Sequence, residues 1–235
     1  MKNIKTILFD LDGTLLPMDM EKFTQIYFYE MGKCFAGQFD PKVLASNVWE
    51  STKVMVANTE KRTNEAVFWE DFEKRLGDSS SVLKEQFMDY YNNGFKKVQA
   101  STTQSNAMIK AVKTLKEKGY EVVVATNPMF PRQAIHDRIK WAGFEPEEFS
   151  YITSFEDNHY CKPQLHYYEE LLEVLGRKPE ECLMVGNNVQ EDMIAGKLGL
   201  KTWLVTDCII NRSSEAYTVD HEGTAEAFYD FIESL

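Results

Sequence analysis

Residues 7 to 14 constrain this chain more than any other segment: the apolar run Ile7, Leu8, Phe9 leads directly into Asp10, Leu11, Asp12, Gly13 and Thr14. An apolar run that stops at Asp and Gly reads as a buried strand entering a turn. Ligands of parallel sheets bind at the carboxyl ends of strands, so two carboxylates at this spot stand where chemistry is done. Side chains alternate along a strand, which sends Asp10 and Asp12 to the same side. There they are close enough to share a cation or to divide a reaction between nucleophile and proton donor.

The rest of the chain falls into two rhythms. From Met20 to about Lys97 the apolar residues recur at helical spacings and no strand pattern stands out. Tyr27, Met31 and Phe35, then Val43, Val48 and Met55, then Val67, Phe68, Phe72 and Leu76, then Val82, Phe87 and Tyr91 mark four helices. Asp40-Pro41 reads as a helix start, and Gly77, Asp78 and the serines Ser79 to Ser81 as a break between helices.

From Ser105 onward helices and strands alternate. The predicted elements are a helix from Asn106 to Lys118 closed by Gly119, a strand from Glu121 to Thr126, a helix from Arg132 to Trp141 and a short strand from Phe149 to Thr153. A helix from Gln164 to Leu175, a strand from Cys182 to Gly186, a helix from Glu191 to Leu198 and a strand from Thr202 to Val205 follow. An irregular stretch then precedes a final helix over Thr224 to Leu235. This alternation implies right-handed crossovers and a parallel sheet covered on both faces. The expected fold is α/β, a Rossmann-like doubly wound parallel sheet core with an inserted α-helical bundle cap. Residues 1–17 and 100–235 would form the core and residues 18–99 the cap.

Composition narrows the class. With 43% hydrophobic and 27% charged residues, a packed globular protein is expected. The net charge of -11 argues against nucleic-acid partners, whose phosphates the average surface would repel. Ile7 to Phe9 is too short for a signal-peptide core, and no membrane span is predicted, so the expected location is cytoplasmic. Cys34, Cys161, Cys182 and Cys208 are scattered and suggest neither a zinc site nor a disulfide framework.

In a parallel sheet all strand ends open on one edge, and the residues just past each strand are candidates for a site. Thr126, Asn127 and Pro128 follow one strand, Lys162 and Pro163 precede a helix, and Gly186, Asn187, Asn188, Glu191 and Asp192 follow another strand. A hydroxyl and an ammonium suit phosphoryl oxygens, and an acidic cluster suits Mg²⁺.

These four motifs, in this order, resemble the haloacid dehalogenase superfamily of aspartate-nucleophile hydrolases over nearly the whole chain, and the helical insertion is similar to the cap of its phosphoglycolate phosphatase and β-phosphoglucomutase branch. The dehalogenases of that family lack the second aspartate, which phosphatases and mutases keep as general acid and base. The resemblance therefore implies a Mg²⁺-dependent phosphatase acting on a small phosphorylated metabolite through an aspartyl-phosphate. Asp10 would be the nucleophile and Asp12 the acid and base. Leu11, Thr126, Asn127 and Lys162 would bind substrate, the first and third through backbone amides. Asp10, the Asp12 main-chain oxygen, Asn187 and Asp192 would hold Mg²⁺. Motif four usually begins Gly-Asp in that family and here reads Gly186-Asn187, so one anionic ligand is missing.

Two alternatives stand beside the phosphatase: a phosphomutase returning the phosphoryl group to a sugar, and a non-enzymatic protein binding a phosphorylated ligand. Glu191 reads as an exposed residue of a first helical turn. His136, His159, His166 and His221 sit at unrelated spacings and read as surface or helix histidines. Tyr27, Phe28 and Tyr29 read as bundle core before pocket lining, and Lys53, Lys61 and Arg62 as solvated charges before an anion site. Met18 and Asp19 fit a hinge into the cap. No spacing in the insertion specifies the substrate, and both a monomer and a homodimer remain open.

Overall fold

The fold is organised around one strand, β1 (Thr6–Phe9), at the centre of a six-stranded parallel sheet. The computed structural model describes residues 3–77, 81–213 and 216–235. The other strands are β2 (Glu121–Val124), β3 (Tyr151–Ile152), β4 (Cys182–Gly186), β5 (Lys201–Val205) and β6 (His221–Gly223), in the spatial order β3-β2-β1-β4-β5-β6. Phe9 is level with both Val124 and Val185, so the residues after β1 emerge between the ends of β2 and β4. The strand order reverses at that point, and such a switch point opens a crevice at the carboxyl edge of the sheet.

Alternation along β1 divides the packing. Ile7 and Phe9 join a cluster with α5 (Asn106–Glu117) and α8 (Ala225–Glu233), whereas Leu8 packs on the other face with α7 (Leu165–Leu175) through Tyr167, Tyr168 and Leu171. Both faces are covered, as a wholly apolar central strand requires. On the α5 side lies α6 (Arg132–Trp141), whose Ala134, Ile135 and Ile139 enter the same cluster.

Between β1 and β2 the chain forms α1 (Met20–Cys34), α2 (Pro41–Ala57), α3 (Asn64–Leu76), α4 (Ser81–Asn92) and a 3₁₀ helix over Gly94–Ser101. Local chemistry starts and stops these helices. Asp19 caps α1 by accepting from Lys22 N, Asp40 caps α2 with Pro41 at its first position, and Gly77 ends α3 in the left-handed conformation. The expected break at Asp78 to Ser80 lies outside the described residues. The insertion leaves the core at Pro17–Asp19 and returns at Ser101–Thr103. These two crossings bond to each other through Asp19 N to Ser101 O (2.9 Å) and Thr103 N to Pro17 O (3.0 Å).

Several expectations need correction. Val43 and Val82 are exposed, because the buried stripes run through Leu44, Val48 and Met55 in α2 and through Leu83 and Phe87 in α4, one residue out of phase. The helix expected over Glu191 to Leu198 is a 3₁₀ segment, Met193–Leu198, with Gly196 inside it, a residue that favours continued α-helix poorly. The irregular stretch before the last helix contains β6. His-Glu-Gly carries no apolar run because this edge strand is largely exposed. No helix among the described residues is long and apolar enough to cross a membrane.

Candidate active site

The turn after β1 is built from its own backbone. Asp10 N still donates to Val185 O (2.9 Å), but the ladder ends at Phe9, so strand alternation does not reach Asp12. The turn is closed by Thr14 N and Leu16 N donating to Leu11 O, and by Gly13 N donating to Leu16 O at 2.8 Å. It leaves the N–H groups of Leu11 and Asp12 outside its own bonding. Gly13 has φ of 88°, and a Cβ there would lie 2.2 Å from Asn187 Nδ2, so no other residue serves at this point.

Asp10, Lys162 and Asp192 form a buried triad. Lys162 Nζ lies 3.0 Å from Asp10 Oδ1 and 2.6 Å from Asp192 Oδ1, and its side chain is sealed from solvent. Asp192 reaches this position only because Gly186 lacks a side chain: a Cβ there would sit 2.2 Å from Asp192 Oδ2, which accepts from Asn188 N at 2.9 Å. Burial raises the Asp10 pKa against the pull of Lys162, with Asp12 and Glu191 adding to the rise. Burial likewise pushes Asp192 up to about 7. Burial alone would depress Lys162, but Asp10 and Asp192 together hold it protonated, well above its ordinary value.

Asp12 faces a partner that the sequence reading missed. Its Oδ2 pairs with Nη1 of Arg138 on α6, an arginine with a wholly buried side chain whose guanidinium also lies over the Phe130 ring, 4.5 Å from the centroid. Asp12 Oδ1 is buried without a hydrogen-bond partner among the described residues. Burial raises the Asp12 pKa although Arg138 and Lys162 oppose it, a balance suited to a proton donor. One signal pointed to Arg138: it stands three residues after Ile135 and four after Ala134, on the helix face that is otherwise apolar.

The remaining candidates divide between the site and its scaffold. Thr126 is buried, and its carbonyl is held by Thr153 Oγ1 (2.7 Å) and Tyr167 OH (2.9 Å). Asn127 acts as a bracket: its side chain accepts from Lys162 N and donates to Lys162 O and to Glu191 Oε2. Asn187 Oδ1 accepts from Thr14 Oγ1 (3.1 Å), and its Nδ2 donates to Cys208 O (2.7 Å). Glu191 is not the exposed residue expected. It joins Asn127 to Arg212, whose Nη1 lies 2.7 Å away. The four histidines stand apart from this cluster: His159 pairs with Glu170, and His221 stacks on Trp203.

Above these groups lies a cavity of about 640 Å³ between the core and the inserted helices, with Asp12, Asn127, Lys162 and Glu191 on one wall. Tyr27 and Phe28 line the other, so the aromatic run of α1 serves the cavity as well as the bundle, while Tyr29 is exposed. Lys53 reaches the cavity but is paired with Glu50, and Arg62 is paired with Glu70.

The oxygen donors fit a divalent cation. Asp10 and Asp192 share one buried ammonium, leaving an excess of buried negative charge, and Asn187 Oδ1 stands against the turn after β1, where it accepts from Thr14 Oγ1. No group of three His, Cys, Asp or Glu side chains among the described residues makes a cage by itself. Mg²⁺ does not require one, since it binds through one or two carboxylates and completes its shell with waters and substrate oxygens.

Comparison with known proteins gives the family and the fold. A family model described as a hydrolase, haloacid dehalogenase-like, matches residues 4–199. The chain is 26% identical over 219 residues to a pyrophosphatase PpaX of Bacillus cereus (strain AH820), covering 92% of this chain and 90% of that protein. Its fold is similar to L-2-haloacid dehalogenase from Xanthobacter autotrophicus (TM-score 0.60, 15% identity, 99% of each chain). It is also similar to the HAD-hydrolase YfnB from Bacillus subtilis, solved bound to magnesium (TM-score 0.58, 17% identity, 98% of this chain and 99% of that one).

Proposed function

Because the chain belongs to the haloacid dehalogenase-like hydrolase family, we propose that it is a phosphatase cleaving the phosphomonoester of a small metabolite, with Asp10 as nucleophile. The observation that carries this reading is Asp12, a partly exposed carboxyl group that lines the cavity and has a raised pKa, beside the buried Asp10–Lys162–Asp192 triad. A dehalogenation needs no such acid, whereas an ester leaving group needs a proton.

In this mechanism Asp10 attacks phosphorus in line, the ester P–O bond breaks, and its electron pair leaves on the alcohol oxygen as Asp12 protonates it. Asp12 then takes a proton from water, whose oxygen attacks the aspartyl-phosphate, releasing phosphate and restoring Asp10. Lys162 has three N–H donors, of which Asp10 and Asp192 occupy two, so one is left for a phosphoryl oxygen. The Leu11 and Asp12 N–H groups and the Thr126 hydroxyl are the further donors to that group. Bound Mg²⁺, held by Asp10, the Asp12 main-chain oxygen, Asn187 and Asp192, would offset the repulsion between a carboxylate and a phosphate dianion. Residues 18–99 act as a cap moving about the paired crossings at 17–19 and 101–103, and closure excludes water. The unpaired thiols suit a reducing compartment, and we place the reaction in the cytoplasm.

Phosphate release from a panel of phosphorylated metabolites, with Mg²⁺ and with a chelator, tests this reading. Release that requires Mg²⁺ is expected. No release from any compound at millimolar Mg²⁺ would overturn it.

Asn187 supplies a second prediction. Its Nδ2 donates to Cys208 O, so Asn187→Asp loses that bond and sets a carboxylate against a carbonyl. Without metal the variant should melt a few degrees lower, since about 1 kcal/mol corresponds to roughly 2–4 °C in a domain of this size. With Mg²⁺ it should regain more than the parent gains, because the added charge binds the cation more tightly. An equal Mg²⁺-induced Tm shift in both proteins would remove Asn187 from the ligand set.

A further inference from the structure

The 640 Å³ cavity lies within the range of small-molecule sites, and the chemistry of its wall bears on which phosphomonoester it admits. Phe23, Tyr27, Phe28, Val48, Trp69 and Phe155 are representative of the lining, which is aromatic and aliphatic across the inserted helices. Its hydroxyls bond within the protein. The Tyr27 and Tyr91 hydroxyls bond each other (3.0 Å), and the Thr24 and Thr52 hydroxyls donate to the carbonyls of Met20 and Val48 (both 2.8 Å).

The cations stand beside carboxylates. Lys53 pairs with Glu50, Arg212 with Glu191, Lys162 with Asp10 and Asp192, and Arg138 below the wall with Asp12. Each is matched by at least one carboxylate, so a second anionic group would have to compete with that carboxylate for its cation. Asp12 lines this same space with its side chain 23% exposed, so a leaving group protonated by Asp12 projects into the apolar chamber.

Building on the phosphatase reading, we propose that the substrate is a phosphomonoester whose leaving group is an uncharged, largely apolar or aromatic alcohol. Inorganic pyrophosphate, phosphoglycolate and sugar bisphosphates each carry a second anion, which this wall would have to desolvate and could pair only by drawing a cation from its carboxylate.

The test uses primary alkyl phosphates with closely similar leaving-group chemistry, ethyl, butyl, hexyl and 3-phenylpropyl phosphate, alongside pyrophosphate and phosphoglycolate, all at saturating Mg²⁺. Each methylene removed from water should raise kcat/KM about fourfold, giving a rise of roughly 250-fold from ethyl to hexyl phosphate. Both anionic-tailed compounds should fall below hexyl phosphate by at least as much. In the variant Val56→Lys, placed on the half-buried rim of the cavity, the gap between hexyl phosphate and phosphoglycolate should narrow.

A flat alkyl series, or pyrophosphate or phosphoglycolate turned over as well as hexyl phosphate, would overturn this inference and leave the phosphatase reading standing. No release from any ester would overturn both.

Discussion

Asp10→Asn should abolish phosphate release, by about 10⁴-fold or more in kcat, and yet leave the protein at least as stable as its parent. The amide is nearly isosteric with the carboxylate and keeps an oxygen to accept from Lys162 Nζ, but it lacks the charge and electron pair that attack phosphorus. Stability goes the other way because Asp10 and Asp192 crowd a single buried ammonium, and burial raises the pKa of both acids. A carboxylate whose folded pKa lies above its unfolded value costs stability as pH rises past the unfolded value, so its removal at neutral pH relieves the fold. Phosphate assays paired with thermal melts in chelator check both halves. Residual turnover above about one per cent would remove Asp10 as nucleophile. A melting point several degrees lower would mean that the Asp10 charge supports the fold.

Arg138→Leu carries the largest expected loss of stability. The arginine is fully buried and pairs with Asp12, whose side chain is 23% exposed, so the substitution leaves a largely buried carboxylate without its partner. Breaking such a pair costs about 3–5 kcal/mol when both groups are sealed, and partial solvation of Asp12 brings the expectation to about 2–3 kcal/mol, or a fall in Tm of roughly 5–10 °C. The double variant Asp12→Asn, Arg138→Leu should recover most of this loss, because an amide needs no counter-charge. If the double variant melts no higher than the single one, Arg138 acts through its packing on Phe130 and not through Asp12. Arg138→Leu should also lower kcat, since Asp12 would lose the contact that orients it. Arg138→Lys should restore charge but not the Nε bond to Ala134 O that fixes the guanidinium, and so recover only part of kcat.

Much of the fold was readable from local pattern. The helix Arg132–Trp141 and the strand Cys182–Gly186 occupy the residues that the pattern predicts, and Asp40-Pro41 starts a helix as capping chemistry requires. Membership of the hydrolase family follows from Asp10, Asp12, Thr126, Lys162 and Asp192 standing in order along the chain, and the family match covers all of them. What escaped had a weak local signal. β6 is an exposed edge strand without an apolar run, and Glu191 belongs to no regular helix because the segment after Asp192 winds as 3₁₀. The aromatic residues of α1 read equally as core and as pocket wall, since a helix face reveals that it is covered but not what covers it.

Local order along the chain decides which residues are apolar, where helices are capped and which side chains follow each strand, since periodicity, capping and turn chemistry act over a few neighbours. That was enough for an α/β fold and for a set of acids, an ammonium and a hydroxyl at strand ends. Only the tertiary structure joins Asp12 to Arg138 across 126 positions and Asp10 to Lys162 across 152. It alone settles that the cations around the cavity are already matched by carboxylates. Such pairings depend on how packed elements bring distant residues into the same low-dielectric space. There, burial and proximity set charge and pKa, and sequence spacing carries no trace of either.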